Sequence, residues 1–172
     1  KYPPGQFTGG SGKLSKYGIQ IREKQKLKRF YGILDRQFQN YFKKAERQKG
    51  NTGENLLAML ERRLDNVVYL LSFAPSRKSA RQLILHGHIL VNDKKVDIGS
   101  YLVKTGDIVR PKSKEITQNI VKANIELVKG RNIPAWIQSR ADTLEGVVTQ
   151  LPAREDISAS AQEQLIVELC SK

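Results

Sequence analysis

The stretch that most constrains the fold runs from Ala74 to Val96, APSRKSARQLILHGHILVNDKKV. Ser76 follows Pro75 and stands ahead of a helix-forming run. A hydroxyl there can accept from the free N–H groups of a first helical turn, so Ser76 reads as an N-cap. The helix that it opens carries Arg77, Lys78 and Arg81, which fall towards one side at 3.6 residues per turn. Ala80, Leu83 and Ile84 fall on the neighbouring side and are expected to pack inward. Gly87 suits a left-handed cap. Ile89-Leu90-Val91 then reads as a strand, Asn92-Asp93 as a turn and Lys94-Lys95-Val96 as a return strand. A short helix with a cationic face is thus joined to a hairpin with a cationic tip. Cations on a rigid frame beside a helix N-terminus form a suitable place for phosphate.

The rest of the chain strengthens that reading. Its 172 residues allow one ordinary domain or two small ones, and 39% apolar residues suffice for a core. The net charge is +13, which points to nucleic acid or an anionic surface as partner. No apolar run approaches the roughly eighteen residues of a spanning helix, so no membrane partner is expected. The charge is unevenly placed: residues 1–50 carry +10 and 62–114 carry +7, whereas 51–61 and 115–172 carry −2 each. The anionic partner is therefore expected on the first two thirds. The acid-leaning last third, with Glu145, Glu155 and Asp156, is expected to face protein.

In chain order, residues 1–13 are rich in Pro, Gly and cations and read as an extended basic arm. Gly9-Gly10-Ser11-Gly12-Lys13 fails as a nucleotide-phosphate loop, because Phe7 stands where the first glycine belongs and Leu14 replaces Ser/Thr. Ser15 caps a first helix to about Tyr31, dense in charge (Arg22, Lys24, Lys26, Lys28, Arg29) and stopped by Gly32. A second helix reaches about Lys49, with an apolar stripe of Leu34, Phe38, Tyr41, Phe42 and Ala45. That spacing assigns the aromatics to a core and not to base stacking. After the loop Gly50–Gly53, a third helix is expected from Glu54 to about Leu71. Its stripe is Leu56, Leu57, Leu60, Leu64, Val67, Val68 and Leu71, with Arg62 and Arg63 off it.

Beyond the hairpin, Leu102-Val103 and Ile108-Val109-Arg110 flank a Thr105-Gly106-Asp107 turn. Thr117 to Lys129 reads as a helix with Ile120, Ala123 and Leu127 inward and Gly130 as its stop. Trp136-Ile137-Gln138 and Gly146 to Thr149 read as strands joined near Ala141-Asp142. The end forms a short helix on Leu165, Ile166 and Leu169 that returns to the bundle, a last strand being the rival reading.

No catalytic constellation is visible. His86 and His88 bracket Gly87 without acidic or thiol partners. Cys170 is the only cysteine, which excludes an internal disulfide and reads as a packing residue. Asp65 is expected to cap or to pair with nearby arginines, and Asp107 belongs to a turn. No cofactor, metal or enzymatic activity is expected.

Several motifs carry a resemblance. Arg63-Leu64-Asp65, Ala74-Pro75-Ser76-Arg77, Ala80-Arg81-Gln82-Leu83-Ile84, His86-Gly87-His88, Val91-Asn92 and Gly106-Asp107 follow one another as in the RNA-binding module named after small-subunit ribosomal protein S-four. Tyr17-Gly18, Arg22 to Leu27, Asn40-Tyr41-Phe42, Thr52 to Leu57, Pro134-Ala135-Trp136 and Glu163 to Leu169 extend the resemblance over nearly the whole chain, to the bacterial-type family of that protein. Asn92-Asp93 stands where the family commonly has Asn-Gly. The chain begins Lys1-Tyr2-Pro3 without Met and reads as a fragment lacking the family's N-terminal segment, which in some members carries a cysteine zinc cluster.

The expected fold is α+β, a small helical bundle with an inserted RNA-binding module that holds a short, mostly antiparallel sheet and packed helices. The divisions are a basic arm at 1–13, the bundle at 14–73 completed by 158–172, and the module at 74–157. Arg22, Lys26, Arg29, Arg62, Arg63, Arg77, Lys78, Arg81, Lys94 and Lys95 are the candidate phosphate contacts. The resemblance implies binding of small-subunit rRNA at a multi-helix junction early in assembly. It also implies proximity to the messenger RNA entry path, contact with neighbouring small-subunit ribosomal proteins and an effect on decoding accuracy. The implied location is the cytoplasmic ribosome of a bacterium, or that of a plastid or other organelle. A free-standing RNA-binding or RNA-chaperone protein is one alternative. The RNA-binding part of an RNA-modifying enzyme is another, although the chain has no room for a catalytic domain.

Overall fold

A computed structural model describes residues 15–140 and 143–171. The expected basic arm and the Ala141-Asp142 turn lie outside them. The first helix, α1, spans Lys16–Tyr31; Ser15 Oγ accepts from the Gly18 amide, and Gly32, at φ 63°, closes it. The second, α2, spans Asp35–Glu46 and buries Phe38, Tyr41, Phe42 and Ala45. Leu34 does not belong to the buried stripe as expected. It precedes the first turn, in extended backbone, and is 80% exposed.

The expected third helix is two helices, α3 at Thr52–Glu61 and α4 at Leu64–Leu70. The break has a tertiary cause. An extended segment returning from the far side of the hairpin pairs with the chain at the junction. Leu64 N–H donates to Tyr101 O at 2.8 Å, Asp65 N–H to Gly99 O at 3.1 Å and Val103 N–H to Arg62 O at 3.0 Å. First-turn amides of α4 thus find partners without any preceding turn. Leu102 accordingly bridges Arg63 and is not a strand partner of Ile108.

The split divides the long leucine stripe between two cores. Leu56, Leu57 and Leu60 of α3 join Leu27, Phe38 and Phe42 in a bundle core. The last helix, α7 at Glu163–Cys170, packs there against α1 and α3 through Ile166, as the favoured sequence reading has it. Leu64, Val67, Val68 and Leu71 instead join Ile84, Ile89, Val109, Trp136 and Val148 in a second core.

That second core holds α5 at Arg77–Leu85, capped as expected by Ser76 Oγ accepting from the Ser79 amide, and a five-stranded antiparallel sheet. The strands are β1 Ile89–Val91, β2 Lys94–Lys95, β3 Ile108–Pro111, β4 Ile137–Arg140 and β5 Glu145–Val148, in the order β2-β1-β3-β5-β4. The β1–β2 turn places Asn92 and Asp93 at φ 49° and 65°, the left-handed region of a type I′ hairpin. Asn92 is tied to β3 from both ends of its amide. It donates to Asp107 Oδ1 at 2.8 Å and accepts from the Ile108 amide at 2.9 Å, while Asp93 pairs with Arg110 at 2.6 Å.

Helix α6 spans Glu115–Leu127 and faces the other way from expectation. It buries Thr117 and Val121, and Ile125 packs on the second core, whereas Leu127 is 73% exposed and Ile120 and Ala123 are exposed as well. Two apolar stripes compete on this helix, and Val121 and Ile125 win because they fall towards the sheet.

Candidate RNA interface

The ten candidate cations separate into two groups. Arg22, Lys26, Arg29, Lys78, Lys94 and Lys95 are exposed. Arg22, Lys26 and Arg29 line one open groove on α1 with Phe30 at its wall. The ion pairs of this group are long: Lys26 stands 3.8 Å from Glu23 and Lys95 3.9 Å from Asp97. Lys95 lies across Gly87, whose φ of +70° and lack of a side chain make room for it; an added Cβ would meet Lys95 Cε at 2.3 Å. Lys95 is thereby brought to the C-terminal end of α5, the helix that carries Lys78.

The other four face the protein. Arg63 is the clearest correction: its side chain is 2% exposed and cannot reach a phosphate. It grips Asp65 with two hydrogen bonds, Nε to Oδ1 at 3.0 Å and Nη2 to Oδ2 at 2.6 Å, and donates from Nη1 to the Tyr41 hydroxyl at 3.0 Å. Burial works against its charge, but Asp65 outweighs burial and holds the guanidinium more firmly protonated than usual. Arg62 donates through Nε to Val103 O at 2.9 Å, and burial pushes its pKa down.

Arg77 folds back from α5 into an aromatic cage. Its guanidinium carbon sits 4.1 Å from the Phe30 ring centre, 4.4 Å from that of Tyr69 and 5.3 Å from that of Tyr31, with Nε donating to Asn66 Oδ1 at 2.8 Å. Burial pushes its pKa down, opposed by the nearby Glu61. Arg81 joins Asp65 from the other side, with Nη2 at 2.6 Å from Oδ2, and donates through Nη1 to Gly32 O at 2.9 Å. The expected pairing of Asp65 with local arginines is thus found, and it takes two of them. Of the cationic face read on α5, Lys78 is exposed and Arg77 is turned inward, while the Arg81 side chain stays 33% exposed beside Asp65.

Sequence reasoning missed Arg131. It stacks on Tyr69 at 3.9 Å and donates to the carbonyls of Tyr69, Ala74 and Pro75. The turn at Gly130 gave no hint of it, because its partners lie more than fifty residues back. Exposed Lys43 and Lys44 on α2, and Arg47 at its C-terminal cap, were legible as the polar complement of the Phe38–Ala45 stripe. No group of three or more His, Cys, Asp or Glu side chains able to hold a metal occurs among the described residues. No helix there is long and apolar enough to cross a membrane.

A helix, a tight hairpin and a small antiparallel sheet beside a cation-rich bundle define an RNA-binding protein class, and sequence comparison makes the class specific. Residues 1–61 match the family described as "Ribosomal protein S4/S9 N-terminal domain", and residues 62–109 match the "S4 domain". The junction of the two matches falls where α3 ends and the chain passes from one core to the other. The chain is 53% identical, over its whole length and 83% of the relative's, to "Small ribosomal subunit protein uS4" of Thermodesulfovibrio yellowstonii. It is 56% identical over 99% of its length, and 82% of the relative's, to the protein of that name from Thermoanaerobacter sp. strain X514. The chain belongs to the family of small ribosomal subunit protein uS4. That family consists of structural ribosomal proteins and not of enzymes.

Proposed function

We propose that the chain holds small-subunit rRNA at a helix junction, with the bundle and the sheet-bearing module each presenting cations to a different arm. The observation that carries this reading is the separation of the ten cations. Six are exposed, on α1, on α5 and at the β1–β2 hairpin, while four are bound into the protein between the two cores. Arg22, Lys26, Arg29, Lys78, Lys94 and Lys95 are the proposed phosphate contacts. Recognition is by shape, since side chains do not reach into the deep, narrow groove of duplex RNA.

Further parts of the proposal rest on family membership. Binding nucleates assembly of the subunit and supports decoding accuracy through a neighbouring small-subunit protein that meets the acid-leaning C-terminal third. The messenger RNA passes nearby at its entry path. The setting is the ribosome of a bacterial cytoplasm.

Footprinting on protein-free small-subunit rRNA is the direct test. Protection confined to the arms of one junction is the expected result; protection spread evenly over exposed helices would reduce the claim to general polyanion affinity. If six to ten phosphates are neutralised, affinity falls about 10³–10⁵-fold between 50 and 200 mM salt.

A further inference from the structure

We infer that Arg77 and Arg81 are positioning residues for RNA recognition: they fix the angle between the two cation-bearing units and do not themselves meet phosphate. The inference rests on the junction-binding reading above.

Several ties join the two units, among them the pairing of residues 99–103 with the α3–α4 junction and the Arg63–Tyr41 hydrogen bond, and α5 adds two more through its arginines. Arg77 inserts its guanidinium between Phe30 of α1 and Tyr69 of α4, so an aromatic ring from each core closes on one cation. Such stacking is directional, and burial strengthens it. One turn further along α5, Arg81 bridges Asp65, at the start of α4, and the carbonyl of Gly32, which closes α1. The C-terminal carbonyls of a helix lack intrahelical partners and carry partial negative charge, so Arg81 caps α1 from outside it. Asp65 is in turn held by Arg63 and is 1% exposed, so the bridge stands on a rigid base. Two arginines on one face of α5 therefore fasten that helix to the end of the helix bearing Arg22, Lys26 and Arg29.

Two linked sites reinforce each other only when their geometry lets both engage, and the gain is about 10²–10⁴-fold. Loosening α5 from α1 removes part of that gain and leaves each unit's own contacts intact. A guanidinium also cannot be replaced here by an ammonium. Lysine carries the charge, but it lacks the planar fork that reaches a carboxylate and a carbonyl together.

The test compares Arg77→Met, Arg81→Lys and Lys78→Met in the full chain. Affinity is measured for a multi-helix junction transcript and for a plain RNA duplex over a range of salt. Spin labels at Lys43→Cys and Ser139→Cys, with Cys170→Ser, report the distance between the units. Arg77→Met and Arg81→Lys are expected to lower junction affinity on the order of 10²-fold, the low end of a lost linkage, with duplex affinity and salt slope unchanged and the distance distribution broadened. Lys78→Met is expected to reduce the slope by about one and to leave the distance sharp. A slope reduced by Arg77→Met, which removes a charge, overturns the inference in favour of direct phosphate contact. A distance distribution as sharp as the parent's overturns it as well. Should Arg77→Met not fold, Arg81→Lys decides alone. If the parent chain does not prefer the junction to the duplex, the functional reading fails, and the distance still decides what the arginines do.

Discussion

The Tyr31 hydroxyl donates a hydrogen bond to the Glu61 carboxylate across the buried seam between α1 and α3. Both groups are pushed towards their neutral forms, above all by burial. For Glu61 the consequence has a definite sign. Its pKa in the fold lies above its ordinary value of 4.5, so its contribution to stability is complete below that value and is lost as pH rises through the raised one. Glu61→Gln fixes the neutral state. In urea titrations at pH 4.5 and pH 7, the variant is expected to gain on the parent as pH rises; a parent that gains on the variant contradicts the assignment.

Glu163 has the opposite sign. Burial works against its charge, but the hydrogen bond from Arg154, 3.0 Å away, outweighs burial and holds the carboxyl below the usual range. Its contribution is present above 4.5 and lost on acidification. The pair is partly exposed, so Arg154→Ala is expected to cost under about 1 kcal/mol at pH 7 and nothing measurable at pH 3.

Among the described residues, Asp65 is the carboxylate that pairs with both Arg63 and Arg81. Asp65→Ala leaves Arg63 charged and buried with no counterion. A loss of about 3–5 kcal/mol in chemical denaturation is expected, the usual consequence of breaking one side of a buried pair. Asp65→Asn, which keeps an acceptor, is expected to fall between the two.

Gly146 of β5 lets the strand lie directly on Leu71: an added Cβ would stand 2.3 Å from Leu71 Cδ1. Gly146→Ala is expected to destabilise by about 1–3 kcal/mol through overpacking. Adding Leu71→Ala removes the clash but opens a cavity. The pair is therefore expected to be non-additive, with the double variant less unstable than the sum of the singles.

Leu127, although a leucine on an amphipathic helix, lies outside the core. Leu127→Lys is expected to change the thermal midpoint little, within about 0.5 kcal/mol of the parent. A large loss would mean that a partner or an unseen packing contact covers α6.

What the sequence disclosed and what it concealed follow one rule. Ser76, Gly87 and the Asn92-Asp93 turn were legible because helix caps and tight turns are set by the local sequence. The α3–α4 break was not, because the stripe from Leu56 to Leu71 keeps helical rhythm through it, and the interruption comes from residues 99–103. On α6, Ile120, Ala123 and Leu127 fit a helix face as well as Val121 and Ile125 do, and only the position of the sheet chooses between them. The interface was half legible for a related reason. Spacing places Arg77, Lys78 and Arg81 on one side of α5, but it does not say that Phe30, Tyr69 and Asp65 wait there for the two arginines. Lysine, a compact and strongly hydrated charge, stayed in water.

The β1–β2 turn, with Asn92 tied to Asp107 and Ile108 and Asp93 tied to Arg110, has a bearing on how long the molecule stays bound. If Lys94 and Lys95 meet RNA as proposed, a tip already held by these ties has little backbone freedom left to surrender on contact, so only the two lysine side chains need to be ordered. Residence time on the ligand then depends on the hairpin's ties as much as on its charges: cutting the tie between Asn92 and Asp107 should hasten departure while leaving arrival unchanged.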